Sequence, residues 1–117
     1  MLAHHATIER RSTRVDRTGQ PRDLWEEKAH DVPCRLGLAR GGEVFTDRSR
    51  DVVRADYTLY LPAGTDIGEA DRVSRVWDAG GATLAEDLEI LLVRPVAGMD
   101  GKTHHIECPC ALTREAS

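Results

Sequence analysis

Four histidines and two cysteines near the ends of this chain could do chemistry: His4, His5, His104, His105, Cys108 and Cys110. Zinc takes four nitrogen or sulfur ligands in a tetrahedron. The spacing His-His-x-x-Cys-x-Cys over residues 104–110 is not that of a zinc finger or ribbon. Adjacent residues on a strand point to opposite faces, so His104 and His105 are expected to face apart. The group therefore reads as ordinary strand residues, with no metal and no cofactor. A second possibility is a thiol–imidazole pair, Cys108 with His104 or His105. A catalytic thiol needs a base beside it and a lowered pKa, and no flanking motif supports one. The third cysteine is Cys34, and an odd number fits reduced thiols better than a disulfide framework. Arg40-Gly41-Gly42 and Ala79-Gly80-Gly81-Ala82 match neither a phosphate-binding loop nor a dinucleotide fingerprint, and read as turns. No enzymatic activity is expected.

Nucleic-acid binding on a small barrel is the stronger rival. Such barrels stack bases on aromatic side chains in a basic groove. The aromatic residues are Trp25, Phe45, Tyr57, Tyr60 and Trp77, and only Tyr60 falls on the outward face of a clear strand. Arg10, Arg11, Arg14 and Arg17 make a basic stretch. However, the net charge of −4 is the opposite of a basic footprint.

The elements that must hold these residues are strands. Val53, Ala55, Tyr57, Leu59 and Leu61 alternate with polar residues, as do Val32, Cys34, Leu36 and Leu38, giving two strands with one buried face each. Pro33 lacks an N–H, so its strand should start there or lie at an edge. Residues 88–96 are more continuously apolar and suggest a strand buried on both faces. Residues 71–77 place Val73 and Trp77 on one face and Val76 on the other. Residues 6–15 and 103–112 complete a set of about six, the last with Ile106, Cys108, Cys110 and Leu112 in register. Turns are marked by Pro62-Ala63-Gly64, Ala79-Gly80-Gly81 and Gly98-Met99-Asp100-Gly101. The pattern predicts a mostly-β chain: one domain over residues 1–117, a small antiparallel barrel or sandwich. Two long connections remain, residues 16–31 and 40–52. In the first, Asp23-Leu24-Trp25-Glu26-Glu27-Lys28 could form one or two helical turns.

A chain of 117 residues can bury one compact core. It is 40% hydrophobic and 31% charged. No stretch approaches the roughly 20 apolar residues that span a bilayer. The start, Met1-Leu2-Ala3-His4-His5, lacks the regions of a secretory signal, which points to a cytoplasm or something assembled there. The basic residues are 14 Arg and 2 Lys. This fits a GC-rich genome, and it also supplies planar forks suited to interfaces.

From Leu61-Pro62-Ala63-Gly64-Thr65-Asp66-Ile67 through Asp71-Arg72-Val73, the chain resembles the head-to-tail stopper (head completion) proteins of siphoviruses, the long-tailed bacteriophages. They carry a similar strand, Pro-Gly turn and Asp-Arg/Lys-Val element. The order of other features agrees. His5 precedes the first strand, Asp16 and Gly19 lie in the first loop, and Val32-Pro33-Cys34 opens the second strand. Gly101-Lys102-Thr103-His104-His105 leads into the last. The likeness covers residues 4–112. It departs at Arg75-Val76-Trp77-Asp78-Ala79-Gly80-Gly81, where the family has a plainer glycine turn and an aromatic-rich strand.

The resemblance implies a structural protein of the virion neck, assembled in a bacterial cytoplasm. Such proteins form a six- or twelve-fold homo-oligomeric ring under the portal and adaptor rings. They close the DNA exit channel and present the docking surface for the tail terminator and tail tube. Packaged double-stranded DNA passes through without sequence-specific binding. The family's gating loop corresponds here to residues 40–52, with Gly41, Gly42, Glu43, Val44, Phe45, Thr46, Asp47, Arg48, Ser49, Arg50 and Asp51 as the gate. The charges of Asp47-Arg48-Ser49-Arg50-Asp51 suit pairing between neighbouring loops. A negative balance also suits a channel that must not hold phosphates. The alternatives are another neck ring protein, such as a tail terminator or adaptor, and a barrel binding single-stranded nucleic acid.

Overall fold

The computed structural model describes residues 2–38, 43–45 and 52–113, with the backbone alone at 43–45 and 52–54. The strands are β1 (His4–Val15), β2 (Pro21–Leu38), β3 (Glu43–Phe45), β4 (Val52–Arg54), β5 (Tyr57–Pro62), β6 (Asp71–Asp78), β7 (Thr83–Ile90), β8 (Arg94–Ala97) and β9 (Thr103–Leu112). Every regular element among the described residues is a strand. Seven form one antiparallel sheet in the order β5-β2-β1-β6-β7-β9-β8. Because β5 also pairs with β9, hydrogen bonds run in a ring through six strands. The chain is therefore the mostly-β domain that the alternating pattern predicts. β3 and β4 stand apart as a two-stranded sheet.

The ring encloses the apolar faces. Leu59 and Leu61 on β5 and Ile106, Cys108 and Cys110 on β9 point into it at every second position, the period of a pleated strand, while Pro109 and Ala111 are buried on the other face of β9. Ala6, Ile8, Cys34, Val73, Val76, Leu88 and Ile90 fill the rest of the core.

Three hairpins share one turn. Asp16, Asp78 and Gly98 each accept a hydrogen bond at the backbone oxygen from the glycine three residues on: Gly19, Gly81 and Gly101. Those glycines have φ of +82°, +89° and +79°. This is a tight turn closed by a left-handed residue, which glycine adopts without steric cost. In the first two, the aspartate Oδ1 also accepts backbone N–H groups inside the turn.

Several expectations are corrected. Residues 16–31 are not a long connection: the turn spans 16–20 and β2 begins at Pro21. Asp23 to Lys28 is strand, not helix, and pairs with β1 through Trp25 opposite Arg11 and Glu26 opposite Arg10. Both faces of this ribbon are largely wet, so no apolar alternation marks it. Residues 53–61 are not one strand. The chain breaks at Ala55-Asp56, where the Asp56 N–H donates to the Cys110 carbonyl at 2.8 Å. Residues 88–96 divide at Leu91, which joins Ala55 and Ala111 in a second small cluster. Val73 and Val76 are both buried, because a register shift against β1 at Ser74 re-phases β6. Leu38 and Leu112 are 79% and 42% exposed, not in the core. Pro33 lies inside β2, opposite His5, on a stretch that β5 does not reach.

Candidate functional site

The residues assigned to the gate divide between described and undescribed positions. Glu43, Val44 and Phe45 form β3, opposite Arg54, Val53 and Val52 of β4. Gly41, Gly42, Thr46, Asp47, Arg48, Ser49, Arg50 and Asp51 lie outside the described residues. The base of the assigned loop is thus a hairpin, inserted between Leu38 and Tyr57, which face each other across β2 and β5.

The cysteines face the core. Cys34 and Cys108 are fully buried, and burial pushes both thiols up to about 12. Burial raises the Cys110 thiol as well, and its Sγ donates to the Cys108 carbonyl at 3.1 Å. A nucleophile needs the opposite shift. His104 is exposed while Cys108 is in the core, so the suggested pair is split across the sheet wall.

His104 and His105 do not face apart. Their Nδ1 atoms lie 2.9 Å from each other. β9 shifts register against β8 here: Val96 faces His105 and Ala97 faces Thr103, leaving His104 unmatched. A bulge of this kind turns two successive side chains toward one side. His105 Nε2 lies 3.1 Å from Glu107 Oε1. If it donates its proton there, the neutral ring keeps a lone pair on Nδ1, toward His104. Tyr60 stands beside His105, and the Arg35 guanidinium sits 4.6 Å from the Tyr60 ring centre. These side chains and Leu2 border an open groove of about 620 Å³. Among the described residues, no three His, Cys, Asp or Glu side chains converge to hold a metal ion.

His5 and His30 meet elsewhere, around Trp77. Their ring centres lie 5.8 and 5.5 Å from it. His5 Nδ1 is 2.5 Å from an Asp31 carboxylate oxygen. Asp31 has φ +57°, where β2 bulges away from β1.

The most tightly built charged cluster was not singled out as a site by its residue types. The Asp71 side chain is only 1% exposed. It accepts from Arg10 Nε at 2.8 Å and Nη2 at 3.1 Å, from Lys28 Nζ at 3.2 Å and from the Gly68 N–H at 2.9 Å. Asp66 adds contacts to Arg10 at 3.3 Å and Lys28 at 3.0 Å. Burial pushes the Asp71 carboxyl up. Arg10, the Gly68 N–H and Lys28 outweigh it and hold the group below the usual carboxylate range. Next to it, Trp25 lies between Arg11 and Arg72, 5.2 and 4.4 Å from its ring centre, and Arg72 Nε donates to Glu9 at 2.7 Å. The cluster clamps the β5–β6 connection onto the β1–β2 hairpin. The available signal was the Asp71-Arg72-Val73 element itself.

No protein-family model, curated protein or solved structure matches this chain.

Proposed function

We propose that this chain is a structural ring protein of a phage neck, acting as a head-to-tail stopper. The observation that carries the reading is the β3–β4 hairpin. It branches from a closed ring of strands and pairs with none of the other described strands. A segment attached in this way can move against a neighbour or a channel without opening the core. The charges of residues 47–51 complement themselves, so each loop can pair with its copy. Contacts repeated around a cyclic assembly add up. The deeply buried thiols are consistent with a role that needs no nucleophile.

The test is deletion of residues 43–51 in the phage. Capsids are expected to package DNA and then lose it, or to remain tailless. Normal infectious yield would overturn the gating role.

A second reading has one observation in its favour. Tyr60 is flanked by Arg35 and His105 at an open groove, the kind of surface on which single-stranded nucleic acid stacks. Titration with labelled single-stranded DNA at low salt separates the two. Tight, salt-sensitive binding lost in Tyr60→Ala supports the groove reading over the stopper.

A further inference from the structure

We infer that copies of this chain join head to tail through the free edges of the β1–β2 hairpin, the β2 edge of one copy receiving the β1 edge of the next. The inference rests on the ring reading and names the surface that would build the ring.

The hairpin is longer than the sheet that supports it. β1 pairs with β6 only as far as Arg10, opposite Asp71. Beyond that, Arg11 to Val15 have β2 on one side and no described strand on the other. β2 pairs with β5 only from Arg35 onward, so its outer edge is equally open from Pro21. Lys28 and the Asp31 region are register irregularities that interrupt this edge. The regular part is therefore Arg22 to Glu27, directly across from the open part of β1. Such a ribbon offers two rows of backbone donors and acceptors, a template for an added strand. Among the described residues the other free edges are shorter: β8 (Arg94–Ala97) contains Pro95, which lacks a donor and blunts it, β7 is open only beside Thr83 to Glu86, and β3 and β4 are three residues each. Val15 and Leu24, 69% and 43% exposed, are apolar side chains that an added strand would cover.

Charge selects the occupant. The open part of β1 carries Arg11 and Arg14 and no acid. The open part of β2 carries Asp23, Glu26 and Glu27 against Arg22 alone. A two-fold pairing of β1 with β1 would set arginine against arginine, and one of β2 with β2 would set acid against acid. Like charges directly opposite destabilise a sheet. Pairing β2 of one copy with β1 of the next places an acidic strand between two basic ones. That contact is heterologous, and a heterologous contact closes into a ring when its rotation permits. The direction fits as well, since a copy related by rotation about a ring axis presents its β1 antiparallel to the neighbouring β2.

The hairpin itself suggests a clean test. Arg14 faces Arg22, and Glu27 faces Glu9, within one chain. Arg14→Glu and Glu27→Lys therefore each replace a like-charged cross-strand pair by an opposite-charged one, although Arg14→Glu also gives up the Arg14–Glu26 ion pair. Each change cancels the net charge of one outer edge. Full-length wild type and both variants would be compared by native mass spectrometry and sedimentation at low salt, with circular dichroism confirming the fold. Wild type is expected to self-associate. Each variant alone should lose at least tenfold in self-association. An equimolar mixture should recover association at every second contact, because the unchanged β1 of Glu27→Lys meets the unchanged β2 of Arg14→Glu. Wild-type assemblies unaffected by either variant would overturn the edge pairing and leave a ring built elsewhere. A wild type that stays monomeric up to millimolar concentration would also overturn it, while deletion of residues 43–51 reads the gating role separately.

Discussion

Arg10 grips Asp71 with two nitrogens, Nε at 2.8 Å and Nη2 at 3.1 Å, where β6 begins beside β1. The two ends of this contact differ. The Asp71 side chain is 1% exposed, whereas that of Arg10 is 48% exposed. Removing the acid therefore strands little buried positive charge, except at Lys28, which is 14% exposed. Losing one member of a buried pair costs roughly 3–5 kcal/mol, and the wet Arg10 places this case at the lower end. Asp71→Ala is expected to destabilise the fold by about 3 kcal/mol, measured by urea unfolding. Asp71→Asn keeps the shape and an acceptor for the Gly68 N–H, and should cost less. A loss below half a kilocalorie for both would show that the cluster does not hold the β5–β6 connection.

The same contact sets an acid limit. Arg10, the Gly68 N–H and Lys28 keep the Asp71 carboxyl below its usual range despite burial. A depressed folded pKa contributes stability above the unfolded value, about 3.9. That stability is lost as pH falls through the lower, folded value. The thermal midpoint of wild type should drop more steeply below pH 4 than that of Asp71→Asn. Parallel curves would refute the assignment.

Asp16 provides a local test of the shared hairpin turn. Its Oδ1 accepts from the Thr18 hydroxyl at 2.6 Å and from the N–H groups of Thr18 and Gln20 at 2.9 and 3.0 Å. Thr18 contributes most to holding its carboxyl down to about 2, followed by the Gln20 N–H. Carbon-detected NMR titration should find Asp16 half-protonated near pH 2, and Thr18→Ala should raise that midpoint. A wild-type midpoint near 4 would show that the turn is open in solution.

The turns at Gly81 and Gly101 were legible because their chemistry is local, needing only an acceptor three residues back and the left-handed glycine. Asp16-x-x-Gly19 makes the same turn but read as part of a long connection, because the strand after it buries no face. The bounds of β9 were legible because Ile106, Cys108 and Cys110 alternate into the core, but the burial at its end was not: Pro109 and Ala111 are buried on the other face, and Leu112 is exposed. The β1–β2 ribbon was not legible, since strand pairing without a buried face leaves no apolar period. Asp23 to Lys28 therefore read as helix-compatible. Bulges leave no trace either. Nothing in His104-His105 announces the unmatched residue that turns both rings to one side, nor in Ser74 the shift that buries Val73 with Val76. Leu91 read as strand because an apolar residue capping a second cluster with Ala55 and Ala111 looks the same in sequence.

The buried thiols predict an alkaline limit opposite in sense to that of Asp71. Burial raises Cys34 and Cys108 from 9.0 to about 12. An unfolded chain loses these protons near its ordinary thiol value, while the folded chain keeps them. The stability this represents is complete below pH 9 and is lost as pH rises toward 12. Unfolding free energy should fall across that window, and Cys34→Ala should reduce the slope. In the native protein at pH 8, a thiol reagent should label Cys34 roughly a hundredfold more slowly than in the denatured chain, because reaction requires opening. Rapid native labelling would contradict the burial.

Closure of the strand ring predicts what deletion of the assigned gate does to folding. β5 is held on one side by β2, from Arg35–Tyr60 to Leu38–Tyr57, and on the other by β9, from Tyr57–Cys110 to Pro62–His105. None of these pairs involves residues 43–51. With those residues removed, 39–42 and 52–56 still join Leu38 to Tyr57, ample for two strands that already face each other. Halving the connection lowers its closure entropy cost by about 0.6 kcal/mol, which offsets part of what the β3–β4 pairing contributed. The thermal midpoint should therefore stay within about 4 °C of wild type, with slow amide exchange preserved at Leu59, Leu61 and Ile106. A drop of more than roughly 10 °C would mean that the hairpin stabilises the body of the protein, and a segment with that duty could not swing freely across a channel.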